Sequence, residues 1–322
     1  MRTDRPPRWA VRAPLRRTRP RRAANLSDVS TDAIAGLFPG QGSHTSALRD
    51  EVERIVPGLL AECIELVGED PFARVRESTR FAQPAIFCAS IAGWKKYQAH
   101  LRPVALAGHS LGELTALVAA GALEPACGLR LAVHRGELMA CASGARDEGM
   151  LAILGASDEQ VMRLAREHGV ALANENAPGQ VVLAGPTDLL RAASCDARGQ
   201  GVRAILLDVA DAFHSPAMSA AVEPFRAALE AVEFDPPSVP VISGSTGRPF
   251  ADVRAELAEA IVRPVRWRTT MLALAELGAD TFIDFGPGMV LARLVTRNLP
   301  DALVLDPAVL ASSPDRETSV VA

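Results

Sequence analysis

The chain has 322 residues, of which 48% are hydrophobic and 22% charged, a composition typical of a globular protein large enough to bury a substantial core. It contains no uninterrupted apolar run of about eighteen residues, so no membrane-spanning helix is predicted. The five cysteines form no CxxC pair and no Cys/His cluster, which argues against a zinc site or a disulfide framework and favours a cytoplasmic location.

The net charge of −4 is unevenly distributed. The first 23 residues contain nine arginines and one acidic residue, Asp4, so this segment carries +8 and the rest of the chain about −12. We expect residues 1–30 to form a disordered arm, because prolines and charge leave little to bury. The arm is interpreted as a tail for nucleic acid or an acidic partner, a transit-like leader, or a functionless upstream extension. We favour the last, since no apolar or aromatic pattern accompanies the charge.

The folded part is expected to begin at residue 31, with a buried strand over residues 32–38 that runs into the glycine-rich turn PGQGSH. Helices are predicted over residues 48–67 and 84–97, the second with Pro84 in its first turn. A short strand, VALA from Val104, precedes GHSLGE and a further helix. This alternation predicts a parallel sheet with helices on its faces, which is an α/β fold.

The pattern changes between residues 149 and 209, where the predicted order is strand, helix, strand, strand, helix, strand. That is the order of a ferredoxin-like unit. The helix PFRAALEAV and the strand DTFIDFG then restore the earlier pattern. We therefore predict a large catalytic domain of residues 31–148 and 210–300, an inserted small domain of residues 149–209, and a loose tail of residues 301–322.

The segment GHSLG, from Gly108 to Gly112, matches the G-x-S-x-G pattern of a sharp turn between a strand and a helix. The two glycines are needed because a Cβ at either position would clash with the neighbouring strand and helix. Ser110 would then project from the sheet at a helix N-terminus, where free N–H groups can hold an oxyanion. The pattern predicts a nucleophile; the alternative is a serine that only caps an ordinary helix.

A nucleophilic serine needs a base, and neutral imidazole is the usual one near pH 7. We favour His214, because it stands where the inserted domain returns to the large one, near the mouth of a cleft. His44 remains a second candidate. The remaining histidines are expected at the surface, inside a helix, or turned away from the serine: His100, His168, His134 and His109.

Seven motifs follow one another along the chain: FPGQGSH (38–44), GHSLGE (108–113), HRGELM (134–139), NENAPGQVVLAG (174–185), AFHSPAM (212–218), PVRW (264–267) and FGPGMVL (285–291). In this order they resemble malonyl-CoA:acyl carrier protein transacylases and the acyltransferase domains of polyketide synthases. The resemblance extends from about residue 33 to 297. It implies an α/β-hydrolase-like large domain with an inserted ferredoxin-like small domain. It also implies a transferase that takes malonyl from malonyl-CoA onto a serine and passes it to the phosphopantetheine thiol of an acyl carrier protein, in fatty acid or polyketide biosynthesis.

The resemblance also implies roles for individual residues. Ser110 matches the nucleophile and His214 the base. The backbone N–H groups of Gln41 and Leu111 match the oxyanion hole, whose donors stabilise the charge that develops on the reacting carbonyl. A backbone carbonyl near Arg266, in place of an acid, is expected to orient the histidine.

Arg135 matches the arginine that holds the free carboxylate of malonyl, which a planar guanidinium can meet through two parallel hydrogen bonds. Phe213 and Leu111 stand where the resemblance associates them with malonyl rather than methylmalonyl. Two residues depart from the family pattern, since His44 ends GQGSH and Arg263 precedes PV. Either can reshape the acyl pocket, so a discrete acyltransferase for another acyl unit stays open.

No metal or redox cofactor is implied, and CoA and phosphopantetheine enter as acyl carriers. We expect malonyl-CoA and an acyl carrier protein as partners, no nucleic acid or membrane, and a monomer. Carrier proteins are typically acidic, so this acidic chain should offer them a local basic patch. Four arginines are candidates for that patch: Arg248, Arg263, Arg266 and Arg268.

Two other functions compete with acyl transfer. A serine hydrolase or thioesterase would use the same turn, but its acid is expected between the serine and the histidine in chain order, where Asp208 and Asp211 are available. The alternative of a docking module without catalysis is disfavoured by the presence of four residues together: Ser110, His214, Gln41 and Arg135.

Overall fold

The computed structural model describes residues 33–40, 48–142, 147–209 and 211–310. The predicted arm, residues 41–47 and the end of the predicted tail lie outside this part of the chain. The first half of the large domain consists of β1 (Ile34–Phe38), α1 (Arg49–Ile55), α2 (Pro57–Val67), α3 (Thr79–Tyr97), β2 (Pro103–Gly108), α4 (Gly112–Ala119) and α5 (Pro125–Ala142).

The small domain follows as one block of six elements. Its four strands form an antiparallel sheet in the order β4-β5-β3-β6, which is the strand order of a ferredoxin-like unit. The elements are β3 (Glu148–Leu154), α6 (Asp158–His168), β4 (Ala171–Ala177), β5 (Gln180–Pro186), α7 (Thr187–Gly199) and β6 (Arg203–Leu206).

The chain then returns to the large domain and completes its sheet. The five strands run parallel in the order β7-β2-β1-β8-β9, which confirms the predicted α/β class. The elements are α8 (Val222–Glu230), β7 (Val241–Ile242), α9 (Val253–Glu259), α10 (Trp267–Glu276), β8 (Thr281–Asp284), α11 (Val290–Asn298), β9 (Leu303–Leu305) and α12 (Pro307–Leu310).

Three sequence expectations about these elements are wrong. The tail is not loose from residue 301, because β9 pairs with β8 at the edge of the large sheet. The single helix over residues 48–67 is two helices, since Val56 leaves helical geometry before Pro57, as residues that precede proline tend to do. Pro84 lies inside α3, which begins five residues earlier at Thr79 behind the capping hydroxyl of Ser78.

The central strand β1 shows why helices cover both faces of the sheet. Ile34 and Phe38 belong to the core formed with α3, α4 and α5, whereas Ala35 and Leu37 belong to a second core with α10 and α11. Successive side chains of a strand point to opposite faces, and all five residues of β1 are buried. The apolar run therefore reads as a strand covered on both sides.

The pairing of β1 with β2 fixes the place of the serine turn. Phe38 is in register with Gly108, so the two strands end side by side at the same edge of the sheet. The ring of Phe38 stacks on Phe285, with centroids 5.6 Å apart, which packs the end of β8 against the same edge. The carboxyl ends of these three strands thus meet where a ligand site is expected in an open α/β sheet.

The small domain is attached to the large one through its edge strand β4. The N–H of Glu175 donates to the carbonyl of Val265 (2.8 Å), and the N–H of Val265 donates to the carbonyl of Ala173 (2.9 Å). The Asn298 side chain donates to the carbonyl of Asn176 (2.8 Å). No helix within the described ranges has the length and apolar character needed to cross a bilayer.

Candidate active site

Ser110 lies in the turn between β2 and α4, in a strained backbone conformation with φ 55°. Close contacts enforce this conformation. A Cβ on Gly108 would lie 1.9 Å from the carbonyl carbon of Gly112, and a Cβ on Gly112 would lie 1.9 Å from the carbonyl oxygen of Phe38. Both contacts are with backbone atoms, which cannot move aside for a side chain. Glycine is therefore required on both sides of the serine, as the sequence predicts.

The structure brings Ser110 and His214 together across 104 residues of sequence. The Ser110 hydroxyl donates to Nε2 of His214 over 2.7 Å. His214 is buried and, like Ser110, has a positive φ, of 57°. This is the hydrogen-bond distance that a base needs to remove a proton from a hydroxyl.

The surroundings of His214 fix its tautomer and its charge. Nδ1 faces the carbonyl oxygens of Ala260 (2.9 Å) and Arg263 (3.2 Å), which can only accept, so Nδ1 carries the proton and Nε2 is free to accept. Burial, and next the positive charge of Arg135, lower the pKa of His214 to about 3. The ring is thus neutral near pH 7, the form in which it can act as a base.

The expectation that the carbonyl of Arg266 orients the histidine is wrong. That carbonyl accepts the N–H of Thr270 within α10, and the Arg266 N–H donates to the carbonyl of Gly244 (2.6 Å). The acceptors lie three and six residues earlier, at Arg263 and Ala260, because the end of α9 and the turn after it present their carbonyls toward the ring. The expected kind of group, a backbone carbonyl, is present.

Arg135 lies on α5 and is 4% exposed. Its Nη2 donates to the Ser110 hydroxyl (3.2 Å), and its Nη1 donates to Oε1 of Gln83 (2.8 Å). Burial lowers the pKa of Arg135 to about 10, which the negative charge of Glu113 partly opposes. The guanidinium therefore stays charged at neutral pH, within reach of any group attached to the serine.

Gln83 contacts the site but belongs to none of the sequence motifs. It is fully buried on α3, and its Nε2 donates to the Thr79 hydroxyl (2.7 Å), so its Oε1 must face Arg135. The available signal was a glutamine within the apolar stretch FAQPAIF. A buried amide of this kind needs partners, which here include the arginine of the site.

One predicted half of the oxyanion hole is described. Leu111 opens α4, and within the part of the chain that the structure describes its N–H donates no hydrogen bond. Gln41 and His44 lie outside the described residues, so their predicted roles stay predictions. A Cβ on the preceding Gly40 would lie 2.6 Å from the carbonyl oxygen of His109, which places the start of that loop against the serine turn.

Two further candidates, Phe213 and His109, lie next to the two central residues of the site in sequence. Phe213 is buried next to His214. Nε2 of His109 lies 3.0 Å from the side-chain oxygen of Asn176.

The four arginines proposed for carrier binding are only partly gathered. Arg248, Arg263 and Arg266 line a cavity of about 620 Å³. Arg268 instead pairs with Asp158 of the small domain, 3.3 Å away.

A hydroxyl held between an imidazole and a guanidinium, at the carboxyl edge of a parallel sheet, is the arrangement expected of an enzyme that transfers acyl groups through a serine. Both described acceptors of His214 Nδ1 are backbone carbonyls, unlike the carboxylate of a hydrolase triad. The chain belongs to the family of acyl transferase domains, whose sequence model matches residues 60–320.

Named relatives agree with this assignment. The chain is 38% identical over 294 residues to the polyketide biosynthesis protein ThaF of Burkholderia thailandensis, covering 86% of this chain and 25% of ThaF. It is 36% identical over 286 residues to the polyketide biosynthesis malonyl CoA-acyl carrier protein transacylase PksC of Bacillus subtilis, covering 84% of this chain and 98% of PksC. The chain thus spans a quarter of ThaF and nearly all of PksC.

A solved structure shares the fold. The malonyl-CoA:acyl carrier protein transacylase FabD of Xanthomonas oryzae superimposes with a TM-score of 0.79 at 33% identity, covering 85% of this chain and 94% of that protein.

Proposed function

We propose that this protein transfers malonyl from malonyl-CoA to the phosphopantetheine thiol of an acyl carrier protein, through an ester on Ser110. The observation that carries the proposal is the Ser110 hydroxyl, hydrogen-bonded to His214 at 2.7 Å and to Arg135 at 3.2 Å. PksC and FabD are both named as malonyl transacylases, and this chain matches nearly the whole length of each. These names support the same reaction. Fatty acid or polyketide biosynthesis is the setting that these names suggest.

In the first half-reaction, Nε2 of His214 takes the hydroxyl proton while the Ser110 oxygen attacks the thioester carbonyl. The carbonyl oxygen becomes an oxyanion, held by the N–H of Leu111 and, in this proposal, by the N–H of Gln41. When the C–S bond breaks, the CoA sulfur leaves with the proton from His214. Each oxyanion donor of this kind contributes on the order of 3 kcal/mol of barrier lowering.

The second half-reaction repeats these steps with a different thiol. His214 takes the proton of the phosphopantetheine thiol, the sulfur attacks the ester carbonyl, and the Ser110 oxygen leaves with the proton. Because a thioester is already activated and neutral imidazole is held by two carbonyls, the base needs no carboxylate behind it. Phe213 and His44 are proposed to border the acyl group.

Arg135 is proposed to bind the malonyl carboxylate. An acetyl or fatty acyl group would leave this buried guanidinium without a charged partner, which disfavours those substrates. In this proposal CoA and phosphopantetheine are carriers of the acyl group, no other cofactor takes part, and the enzyme works as a cytoplasmic monomer.

Intact-protein mass spectrometry after incubation with a panel of acyl-CoAs tests the proposal. We expect a malonyl adduct on the wild type that disappears when a carrier protein is added, and no adduct on Ser110→Ala. An adduct with a different acyl group would indicate a transferase for another unit. An adduct that water removes before any carrier is added would indicate a hydrolase and contradict the proposal.

A further inference from the structure

Glu113 is a buried carboxylate that the mechanism above does not use. It lies in the first turn of α4, three residues after Ser110, and is 2% exposed. Its Oε1 accepts the N–H of Gly244 over 2.7 Å. Burying a carboxylate is costly unless its partners compensate, so the hydrogen bond from Gly244 offsets part of that cost.

The Glu113–Gly244 contact leads from the serine to the groups that orient the base. The carbonyl of Gly244 accepts the N–H of Arg266 over 2.6 Å. Arg266 lies three residues after Arg263, whose carbonyl accepts Nδ1–H of His214. Two hydrogen bonds and a short piece of backbone therefore join the helix that begins at the serine turn to the segment that holds the histidine.

We propose that Glu113 is a positioning residue, which keeps the His214-orienting segment aligned with the Ser110 turn by holding Gly244. The inference rests on the proposed function, because it assigns Glu113 a part in the same reaction. Ser110 and His214 come from segments 104 residues apart, so their alignment depends on contacts between those segments. A misplacement of about 1 Å at a reacting group costs on the order of 10²-fold in rate.

A second explanation for Glu113 is that its charge balances that of Arg135. The two interact electrostatically, but burial raises the pKa of Glu113 to about 7, so its charge is incomplete near neutral pH. The contact with Gly244 needs an acceptor at a fixed reach and no charge. Glutamine keeps that reach and can also donate to Ser243, whose hydroxyl faces the same side chain. Aspartate keeps the charge and is one methylene too short.

The two explanations therefore predict opposite results for Glu113→Gln and Glu113→Asp. Two rate constants are measured for each variant: labelling of Ser110 by a fluorophosphonate, and single-turnover formation of the malonyl-enzyme. With positioning, Glu113→Asp lowers both about 10- to 100-fold while the KM for malonyl-CoA changes less than about threefold, and Glu113→Gln stays within about threefold of the wild type. Thr115→Val is the matched control on α4, because the buried Thr115 hydroxyl has no hydrogen-bond partner among the described residues.

A loss in Glu113→Gln as large as in Glu113→Asp overturns the proposal, as does wild-type behaviour of Glu113→Asp. If Glu113→Asp does not fold, Gly244→Ala tests the position of the same residue, because the added Cβ lies 3.2 Å from the carbonyl oxygen of Gly108 and Gly244 must shift by a few tenths of an ångström from its place opposite Glu113. We then expect at least about a fivefold slower labelling, and an unchanged rate overturns the proposal. Labelling requires no acyl donor, so a wild type that is labelled but not malonylated refutes the proposed substrate alone.

Discussion

The two halves of the Ser110–His214 pair are held in place in different ways. The serine turn is fixed by atoms close by in sequence and on the adjacent strand, through Gly108 and Gly112. His214 is fixed by carbonyls 46 and 49 residues further along the chain. The nucleophile is therefore specified by a local motif, and the orientation of its base is specified only by the assembled fold.

Both halves nevertheless share one cost. Ser110 and His214 each adopt a positive φ, which costs a residue with a side chain about 1–3 kcal/mol. Such conformations persist only where the surrounding structure enforces them. Substitutions in the serine turn and at His214 should show which contacts hold each residue in place.

The largest effect is expected for Gly112→Ala, which disrupts the turn that carries Ser110. The added Cβ would lie 1.9 Å from the carbonyl oxygen of Phe38, so the turn must open or the strand must shift. We expect a loss of at least about 4 kcal/mol in the free energy of unfolding and no fluorophosphonate labelling. Gly58→Ala in α2 is the control, because nothing lies within 4 Å of its Cβ, and denaturant unfolding should show no loss. Labelling of Gly112→Ala at the wild-type rate would show that the glycine is dispensable.

His214→Gln removes the base and leaves the serine turn intact. We expect malonyl-enzyme formation to slow by about 10²- to 10⁴-fold, the usual contribution of a general base. His168→Gln, on α6 and paired with Asp196, should leave the rate unchanged. Single-turnover mass spectrometry measures both. A decrease below tenfold in a folded His214→Gln protein would mean that another group takes the proton.

Arg135→Ala tests a group that both halves share, since it contacts Ser110 and depresses the pKa of His214. We expect the ratio of malonyl to acetyl loading to fall by about 100-fold, because the charged partner of the carboxylate is lost. Arg130→Ala is the matched control, an exposed arginine on the same helix that pairs with Glu62. Competition between the two acyl-CoAs gives the ratio, and an unchanged ratio would refute the carboxylate role.

The smallest effect is expected from pH. With a pKa of about 3 for His214, the imidazole stays neutral, and labelling of Ser110 should change less than about twofold between pH 5 and 8. An ordinary pKa of about 6.5 would instead slow labelling about thirtyfold at pH 5. The free energy of unfolding should also depend on pH, because a histidine whose pKa is lowered by folding disfavours the folded state once the unfolded chain begins to bind a proton there. The contribution of His214 is complete above pH 6.5 and is lost as pH falls from 6.5 toward 3. A steep acid limb near pH 6.5 would contradict this account.

Much of the fold follows from patterns within short stretches of sequence. The apolar run at β1 and the alternation of strands and helices predict the parallel α/β sheet, and the order of elements after residue 148 matches the antiparallel sheet of the small domain. Helix boundaries were less predictable. The sequence pattern places a helix start at Pro84, but α3 begins at Thr79 and continues through Pro84.

The sequence by itself marked the serine turn, because the glycines on either side of Ser110 form a recognisable motif, although the contact that requires Gly112 comes from Phe38 on the neighbouring strand. It also marked His214 and Arg135, through resemblance to a family. Only the tertiary structure decided which carbonyls hold the imidazole, that Gln83 faces Arg135, and that Glu113 reaches Gly244. Backbone carbonyls are present at every position, so no residue type signals their use. Their direction is set by how distant segments pack, and that is why the position near Arg266 implied by the family resemblance is wrong.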